Sequence, residues 1–270
     1  MSAQTSPLST AGPDASSDDL RAAYRAADAK GRQSLVARLS PQEVEFAGVR
    51  MFVDPRDNYT ERRIWLDGQP PEMASLMALV ELVEGKRALV LDIGANCGAF
   101  AVPLGLAVGA ESRVIAFEPN PVMIARLQHN IGLNDLDGVV TVQGCALGDA
   151  TAEATLNLKH GNYGQASLMP IRARQRAGGT QVPVRPLLDF VDTAAEYEIV
   201  VLKIDVEGAE EAALAPMLMA KGWLPDAMLM ETRHADEWDT DLIGQIKAAG
   251  FDAVLEVEGN TLFVRGKAAR

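Results

Sequence analysis

The stretch Ala88-Leu-Val-Leu-Asp-Ile-Gly-Ala-Asn-Cys-Gly-Ala-Phe100 predicts the centre of the fold. Four apolar residues end in Asp92, a Gly-x-Asn-x-Gly turn follows, and residues 100–107 then have a helical pattern. This order is typical of a buried parallel strand, a tight turn and the start of a helix. Gly94 and Gly98 lack a Cβ atom, so the backbone between them can turn sharply and a ligand can approach it closely.

A second apolar run, Arg113-Val-Ile-Ala-Phe117, ends in Glu118. An acidic residue at the tip of the second strand of such a unit is placed to bind the two hydroxyls of a ribose. The alternative is a strand–helix–strand unit whose glycines serve packing alone. The glycine turn and the acidic residue together favour a nucleoside ligand over that alternative.

The turn differs from the Gly-x-Gly-x-x-Gly fingerprint of dinucleotide-binding proteins, in which a helix N-terminus holds a pyrophosphate. Asn96 stands in place of the central glycine, and the third position falls on Ala99 or Phe100. A ligand without a diphosphate therefore fits better. S-adenosylmethionine meets this requirement, with its adenosine at Glu118 and its methionine end near Asp92. An NAD-dependent oxidoreductase is the alternative enzyme, because it shares the acidic ribose ligand.

Composition narrows the functional classes. The chain has 270 residues, 48% of them hydrophobic, which suits one large domain or one domain with an extension. No apolar run reaches the roughly eighteen residues that cross a membrane, and residues 1–19 lack a secretory pattern. Cys97 and Cys145 are too few for a disulfide scaffold and indicate a reducing compartment, so we expect a cytoplasmic protein. A net charge of −12, with no basic cluster beyond residues 172–176, disfavours nucleic acid as a partner.

The order of segments predicts a doubly wound α/β sheet with an antiparallel edge. Residues 1–17 are expected to form a disordered tail, residues 18–84 an N-terminal extension of helices and strands, and residues 85–270 the main domain. Further buried strands are predicted at residues 139–142, 199–205 and 227–230, with a helix at 206–219 and a terminal hairpin at 251–256 and 261–264. Between them, residues 161–165 are expected to be a loop and residues 182–187 an edge strand, where proline is tolerated.

The chain resembles the FkbM family of methyltransferases in four segments: Leu91-Asp-Ile-Gly-Ala-Asn-Cys-Gly98, Ala116-Phe-Glu-Pro-Asn-Pro121, Ala146-Leu-Gly-Asp149 and Lys203-Ile-Asp-Val-Glu-Gly-Ala-Glu210. The resemblance covers about residues 44–263 and is most specific in the last segment. It implies S-adenosyl-L-methionine as cofactor and the Rossmann-like class I methyltransferase fold, with a seven-stranded, mostly parallel sheet. It also implies methylation of a hydroxyl on a small molecule, such as a natural product or a sugar.

The cofactor-binding residues implied by this resemblance are Asp92, Gly94, Asn96, Gly98, Glu118, Asn120, Ala146 and Asp149. The first four should surround the methionine part of the cofactor, and Glu118 should bind the ribose. Asn120 should lie beside that carboxylate, and Ala146 should present its backbone to adenine with Asp149 nearby. Asn120 and Asp149 would serve equally well as caps of turns.

A hydroxyl nucleophile has to lose its proton, which calls for a nearby carboxylate or histidine. Asp205 ends the fourth predicted strand at the carboxyl edge of the sheet, the general position for chemistry in such folds. Glu207 in the following turn and His234 after the fifth strand complete the candidate catalytic residues. The alternatives are helix capping for the two acids and a solvated surface position for the histidine. Such a set can also hold a divalent cation, but its spacing is not diagnostic, and no metal ligand is assigned.

The methyl acceptor is expected in a pocket formed by about residues 158–176 and the segment before Glu72. A hydroxylated small molecule is therefore the expected partner, with no membrane and no nucleic acid, while the oligomeric state stays open. Enzymes that methylate amino groups of bases often carry Asn-Pro-Pro-Tyr where this chain has Asp205-Val-Glu-Gly208. A non-catalytic binding module on the same fold is a further alternative.

Overall fold

A computed structural model describes residues 15–159, 161–168, 176–220, 222–233 and 235–266. Its first part, up to the predicted main domain, contains helices α1 (Ser17–Ala26) and α2 (Ala29–Val36), strands β1 (Gln42–Phe46) and β2 (Val49–Val53), and helices α3 (Tyr59–Asp67) and α4 (Met73–Val83). The predicted tail, residues 1–17, lies largely outside the described residues. Ser16 accepts a hydrogen bond from the backbone N–H of Asp19 and so caps α1.

The second part alternates strands and helices. Its elements are β3 (Ala88–Ile93), α5 (Ala101–Ala107), β4 (Arg113–Phe117), α6 (Pro121–Leu133), β5 (Val140–Gln143), β6 (Ala146–Leu147), β7 (Ala152–Lys159), β8 (Asn162–Ser167), β9 (Arg176–Arg185), β10 (Ile199–Ile204), α7 (Glu210–Met219), β11 (Ala227–Glu231), α8 (Leu242–Ala248), β12 (Phe251–Val257) and β13 (Asn260–Arg265). The helix predicted at residues 206–219 begins at Glu210, four residues after its predicted start, because the chain first makes a turn at residues 206–209.

The central sheet has seven strands in the order β12-β13-β11-β10-β3-β4-β5. The strands β11, β10, β3, β4 and β5 are parallel, and the hairpin of β12 and β13 adds an antiparallel edge. Every residue of β3, β10 and β11 is buried, which is the burial expected of strands covered on both faces. The predicted doubly wound, mostly parallel seven-stranded sheet with a C-terminal hairpin is confirmed.

Alternate residues of β3 face two separate hydrophobic cores. Val90 belongs to the core that contains buried residues of α4, α5 and α6, whereas Leu89 and Leu91 belong to the core that contains residues of α7 and α8. Because side chains along a strand alternate between its two faces, one apolar run supplies both layers. The carboxyl ends of the parallel strands are left at one edge of the sheet, which is where ligands bind in such folds.

A second sheet of four strands, in the order β6-β9-β7-β8, lies in the region where the sequence was least regular. The predicted loop at residues 161–165 is wrong, because these residues fall mostly in β8, which pairs antiparallel with β7. The prediction of an edge strand at residues 182–187 is also wrong, since β9 lies between β6 and β7. Its partner β6 pairs only with Val184 and Arg185, so Pro183 falls beyond that short ladder.

Candidate active site

The loop between β3 and α5 lies at the carboxyl edge of the sheet. Gly94 has a φ of 79°, and a Cβ atom at this position would lie 1.9 Å from the carbonyl oxygen of Asp205. Only glycine therefore allows the loop to rest directly against the end of β10. At Gly98 a Cβ atom would lie 2.8 Å from Leu127 Cδ1, so that glycine serves the packing of the loop against α6.

A buried ion pair supports this loop from below. Lys203 on β10 places its Nζ 3.5 Å from Asp92 Oδ1 on β3 and donates a hydrogen bond to the Gly94 carbonyl oxygen at 3.1 Å. Burial disfavours the charge of Lys203, but attraction to Asp92, Asp205 and Glu72 outweighs this and raises the pKa of the lysine. Burial also raises the pKa of Asp92, and Lys203 opposes that rise. Asp92 is thus placed to hold the loop, and its contact with a cofactor stays a prediction.

Lys203 is a site residue to which the sequence analysis gave no role. Its signal was present in the sequence, because a lysine interrupts an otherwise apolar strand. Lysine is almost never fully buried unless its charge is paired. The partner is not evident from the sequence, since Asp92 lies on another strand and becomes a neighbour only through the register of β3 with β10.

Glu118 follows β4 and has a side chain that is almost completely buried. Its Oε2 accepts a hydrogen bond from the Asn96 backbone N–H at 2.9 Å, and its Oε1 accepts one from the Asn120 backbone N–H at 2.7 Å. Burial raises the pKa of Glu118 to about 7, although these two amide donors favour the ionised form. The carboxylate therefore joins the glycine loop to the start of α6 and keeps lone pairs that can accept further hydrogen bonds.

Asn96 connects the glycine loop to the N-terminal extension. It adopts a left-handed conformation with a φ of 54°, and its Oδ1 accepts hydrogen bonds from Asn58 Nδ2 at 2.7 Å and from the Cys97 backbone N–H at 2.8 Å. Its Nδ2 lies 3.4 Å from Thr60 Oγ1 as a donor. The extension is therefore part of the site.

A charged cluster fixes the segment that carries Asn58. Arg126 on α6 lies 2.9 Å from Asp57 and 3.6 Å from Asp54, and it also forms an ion pair with Glu61 on α3. Glu61 is fully buried, and this burial raises its pKa to about 7. The cluster holds the end of the β2–α3 connection against α6, beside the glycine loop.

The remaining predicted cofactor residues lie at different depths. Asn120 caps α6, because its Oδ1 accepts a hydrogen bond from the Val122 backbone N–H at 3.1 Å, while its Nδ2 donates to the Tyr163 carbonyl oxygen. Ala146 is buried and lines a cavity together with Glu118. Asp149 is exposed and lines a different depression, next to Gly148. The structure thus brings Ala146 and Glu118 together and places Asp149 apart from them.

The first of two adjoining cavities, here the apolar cavity, lies above β3, β4 and β6. It has a volume of about 50 Å³. Glu118, Asp205 and Glu207 contribute carboxylates to its wall, and most of the other lining residues are apolar. Its lining residues include Ile93, Gly94, Phe117, Glu118, Pro119, Cys145, Ala146, Leu147, Leu156, Tyr163, Gly164, Asp205, Val206 and Glu207.

The second cavity, here the carboxylate cavity, has a volume of about 230 Å³. Acidic side chains from four places in the chain line it, with one arginine among them. Its lining residues are Tyr59, Thr60, Pro71, Glu72, Asn96, Asn162, Gly164, Gln165, Asp205, Glu207, Glu231, Arg233 and Glu258. Some members of residues 162–165 and of residues 59–72 thus line one cavity, and its use by a methyl acceptor stays a prediction.

Strand β8 covers the junction of the two cavities. The Tyr163 backbone N–H donates to the Asp57 carbonyl oxygen at 2.7 Å, and Asn162 Oδ1 accepts a hydrogen bond from the Tyr59 backbone N–H at 2.9 Å. Asn120 holds the other side of the strand through its hydrogen bond to Tyr163. The segment that the sequence predicts as a loop is therefore a strand that hydrogen bonds hold in place over the two cavities.

The turn between β10 and α7 is held by Glu210. Its Oε1 accepts hydrogen bonds from the backbone N–H groups of Val206 at 3.1 Å and Gly208 at 3.3 Å, and the side chain is buried. No side chain caps α7, so the alternative that Asp205 or Glu207 acts as its cap is not observed. Asp205 and Glu207 instead line both cavities.

Glu231 at the end of β11 is a further site residue. Residues 204 and 230 are register partners on β10 and β11, so Asp205 and Glu231 leave their strands side by side. Burial, followed by the negative charges of Asp205 and Glu207, raises the pKa of Glu231 to about 8. Arg233, 3.6 Å from Glu231, opposes this rise. Glu231 therefore carries a proton at neutral pH and can accept one only above about pH 8.

Three further predictions concern side-chain chemistry. His234 lies outside the described residues, so its catalytic role stays a prediction. Cys97 and Cys145 are free thiols and both are buried, and burial raises the pKa of each. Among the residues with described positions, no group of three or more His, Cys, Asp or Glu side chains is arranged to hold a metal ion. Within the same part of the chain, no helix is long and apolar enough to cross a membrane.

Comparisons with known proteins identify methyltransferases that are similar to this chain. A family model described as the methyltransferase FkbM domain matches residues 92–253, more than half of the chain. Methyltransferase 1 of Beauveria bassiana is 30% identical over a region that covers 45% of this chain and 55% of that protein, so the match spans about half of that relative. Methyltransferase sdnD of Sordaria araneosa is 27% identical over a region that covers 59% of this chain and 80% of that protein. The crystal structure of an FkbM methyltransferase from Methylobacillus flagellatus has 17% identity and a TM-score of 0.42, with 77% of this chain and 55% of that chain covered.

Proposed function

Because the chain belongs to the FkbM methyltransferase family, we propose that it uses S-adenosylmethionine to methylate a hydroxyl group of a small molecule, such as a natural product or a sugar. The observation that carries this proposal is the wall shared by the two cavities, which Asp205 and Glu207 both line. A methyl donor in the apolar cavity and an acceptor in the carboxylate cavity would meet at this wall. Such alignment is the main requirement for a methyl transfer.

The residues of the apolar cavity fit S-adenosylmethionine. Each oxygen of Glu118 accepts one backbone N–H and retains lone pairs for a ribose hydroxyl. The backbone of Ala146 would border the adenine ring, and Gly94, in the loop that also carries Asn96, would border the methionine end. When bound, the cofactor supplies a methyl group activated by a sulfonium. Asp92, held by Lys203, would act by fixing the loop.

The acceptor proton is assigned to the carboxylates of the shared wall. Asp205 either takes the hydroxyl proton or orients the hydroxyl, and Glu231 beside it adds basicity once it has lost its own proton, above about pH 8. When the bound cofactor supplies its methyl group to the acceptor oxygen, these carboxylates would receive the proton that the hydroxyl loses. Glu207 and His234 are the further candidates for this role.

Calorimetry tests the cofactor directly. We expect S-adenosylmethionine to bind and NAD not to bind, because the glycine turn lacks a diphosphate fingerprint but keeps Glu118. Tight binding of NAD without binding of S-adenosylmethionine would favour the oxidoreductase. Binding of S-adenosylmethionine without turnover on any hydroxylated acceptor would favour a non-catalytic module.

Location and partners complete the proposal. The two free, buried thiols fit a reducing compartment, and we propose a cytoplasmic enzyme on that basis. Its partner would be a hydroxylated small molecule. Thiol labelling under native conditions tests the placement of Cys145, which lines the apolar cavity, because S-adenosylmethionine should slow that labelling.

A further inference from the structure

A groove at the surface of the N-terminal extension is lined mainly by positively charged side chains, whereas the chain as a whole is acidic. It has a volume of about 450 Å³ and is formed by α1, α2 and α3. Four guanidinium groups and two tyrosine rings line it, and we call it the arginine groove. These residues are Tyr24, Arg25, Arg32, Tyr59, Arg62 and Arg63.

The arginines are mostly oriented by backbone carbonyl oxygens, which do not neutralise their charge. Arg32 donates to the carbonyl oxygens of Tyr24 at 3.2 Å and Arg25 at 3.4 Å. Arg62 donates through Nε to the Pro55 carbonyl oxygen at 2.7 Å. Both guanidinium groups are therefore held in place while their positive charges remain available to a ligand.

The groove's described lining residues include four arginines and one carboxylate. Asp67 lies 2.6 Å from Arg63 and 3.9 Å from Arg25. The lining thus has an excess of positive charge, although the whole chain has a formal net charge of −12. A concentrated positive site in an acidic protein attracts a compact, multiply charged anion.

Phosphate esters have the matching chemistry. A phosphate monoester carries about 1.5 to 2 negative charges at neutral pH, and the fork of N–H groups on arginine pairs with two of its oxygens. The groove also lies within the range of roughly 300–1,000 Å³ that small-molecule sites occupy. Arg32 lies over the ring of Tyr24, 5.6 Å from its centroid, which further limits the freedom of this guanidinium group.

We propose that the arginine groove binds the phosphate ester group of a small molecule. Tyr59 lines both this groove and the carboxylate cavity, so a molecule anchored by its phosphate extends towards the carboxylates. That molecule is then the methyl acceptor, a step that rests on the proposed function. The acceptor class becomes a phosphorylated, hydroxyl-bearing compound.

Calorimetric titration of the full chain tests this proposal with inorganic pyrophosphate and glucose 6-phosphate, and with glucose as the unphosphorylated control. The unmutated protein should bind both phosphates and not glucose. Arg32→Gln and Arg62→Gln should each weaken binding by about tenfold or more, the size expected for a lost hydrogen bond to a charged group. Arg113→Gln removes an exposed arginine at the start of β4 and should leave binding unchanged.

Absence of phosphate binding to the unmutated protein, or equal binding by all three variants, would overturn the proposal. A short single-stranded RNA that binds tightly and that pyrophosphate does not displace would also overturn it, in favour of a nucleic-acid surface. S-adenosylmethionine binding is measured in parallel and should be the same in every variant. If the unmutated protein fails to bind S-adenosylmethionine but binds phosphate, the proposed function fails while the groove stands.

Discussion

The apolar cavity and the carboxylate cavity share Gly164, Asp205 and Glu207, but their walls differ in chemistry. The apolar cavity has one deeply buried carboxylate, Glu118, that is already hydrogen-bonded to two backbone amides. The carboxylate cavity gathers acidic side chains that lie close together, and burial and the charges of Asp205 and Glu207 raise the pKa of Glu231 there to about 8. The first wall is suited to holding a ligand by shape and hydrogen bonds. The second is suited to moving a proton.

The largest effect is expected at the shared wall. Asp205→Asn keeps the shape of the side chain but abolishes its ability to accept a proton. Methyl transfer at saturating cofactor and acceptor should then fall by roughly 10²–10⁴, the usual contribution of a general base. The affinity for S-adenosylmethionine, measured by calorimetry, should change little.

The matched control for this variant is Asp252→Asn, because Asp252 is exposed on the edge strand β12 and lines neither cavity. Undiminished turnover of Asp205→Asn would exclude a base role and move it to Glu231 or His234. If cofactor affinity falls while saturated turnover persists, Asp205 belongs to the apolar cavity and the division between the two walls breaks down.

The next largest effect is expected from adding a methyl group at Gly94, where the glycine loop contacts the end of β10. Gly94→Ala would force a Cβ atom against the Asp205 carbonyl oxygen in a left-handed conformation. We expect a loss of about 2–5 kcal/mol in the free energy of unfolding, which combines overpacking with backbone strain. Urea unfolding measures this loss.

Gly132→Ala is the control for that experiment. Gly132 lies in α6 and a Cβ atom there meets no atom within 4 Å. Alanine should stabilise this helix position by up to about 1 kcal/mol, since glycine is the poorer helix former. Equal effects of the two substitutions would contradict the close contact between the loop and β10.

Substitution of Glu118 should have a smaller effect, which is limited to the affinity of the apolar cavity for S-adenosylmethionine. Glu118→Ala should weaken S-adenosylmethionine binding by roughly 1.5–3 kcal/mol, the value of a hydrogen bond to a charged group. Because burial raises the pKa of Glu118 to about 7, the ionised form that accepts ribose hydroxyls becomes dominant above that pH. Affinity measured by calorimetry should therefore rise as the pH increases through about 7, and Glu118→Gln should remove that rise.

The smallest effect should appear only in the pH dependence of turnover. Since burial and the charges of Asp205 and Glu207 raise the pKa of Glu231 to about 8, Glu231 carries a proton below that pH and loses it above. The rate should increase about tenfold between pH 7 and pH 9, as the ionised fraction does. Glu231→Gln should flatten the profile while leaving S-adenosylmethionine binding unchanged. A rise that persists in this variant would assign the titration to another group.

Local sequence was sufficient for the elements that define the sheet. The runs at β3, β4, β10 and β11 are mostly apolar, although Lys203 interrupts β10, so their type and order follow from burial on both faces. β8 could not be predicted in this way, because Asn162-Tyr-Gly-Gln165 has the composition of a loop. It is a strand because β7 pairs with it and because Asp57 and Asn120 anchor its backbone.

The sequence by itself determined the glycine turn, the acidic residue after β4 and the placement of Asp205 at the end of β10, because each depends on a few adjacent residues at a strand end. Only the tertiary structure decided the partners: Lys203 beneath Asp92, Asn58 against Asn96, Glu231 beside Asp205, and Glu210 in the role of holding the turn. Each of the first three pairs joins separate elements, and the charge of a buried side chain is set by whatever folding places next to it. The sequence therefore indicated two segments that line the carboxylate cavity but not the neighbouring carboxylates Glu231 and Glu258, whereas the strand ends that form the floor of the apolar cavity followed from local patterns.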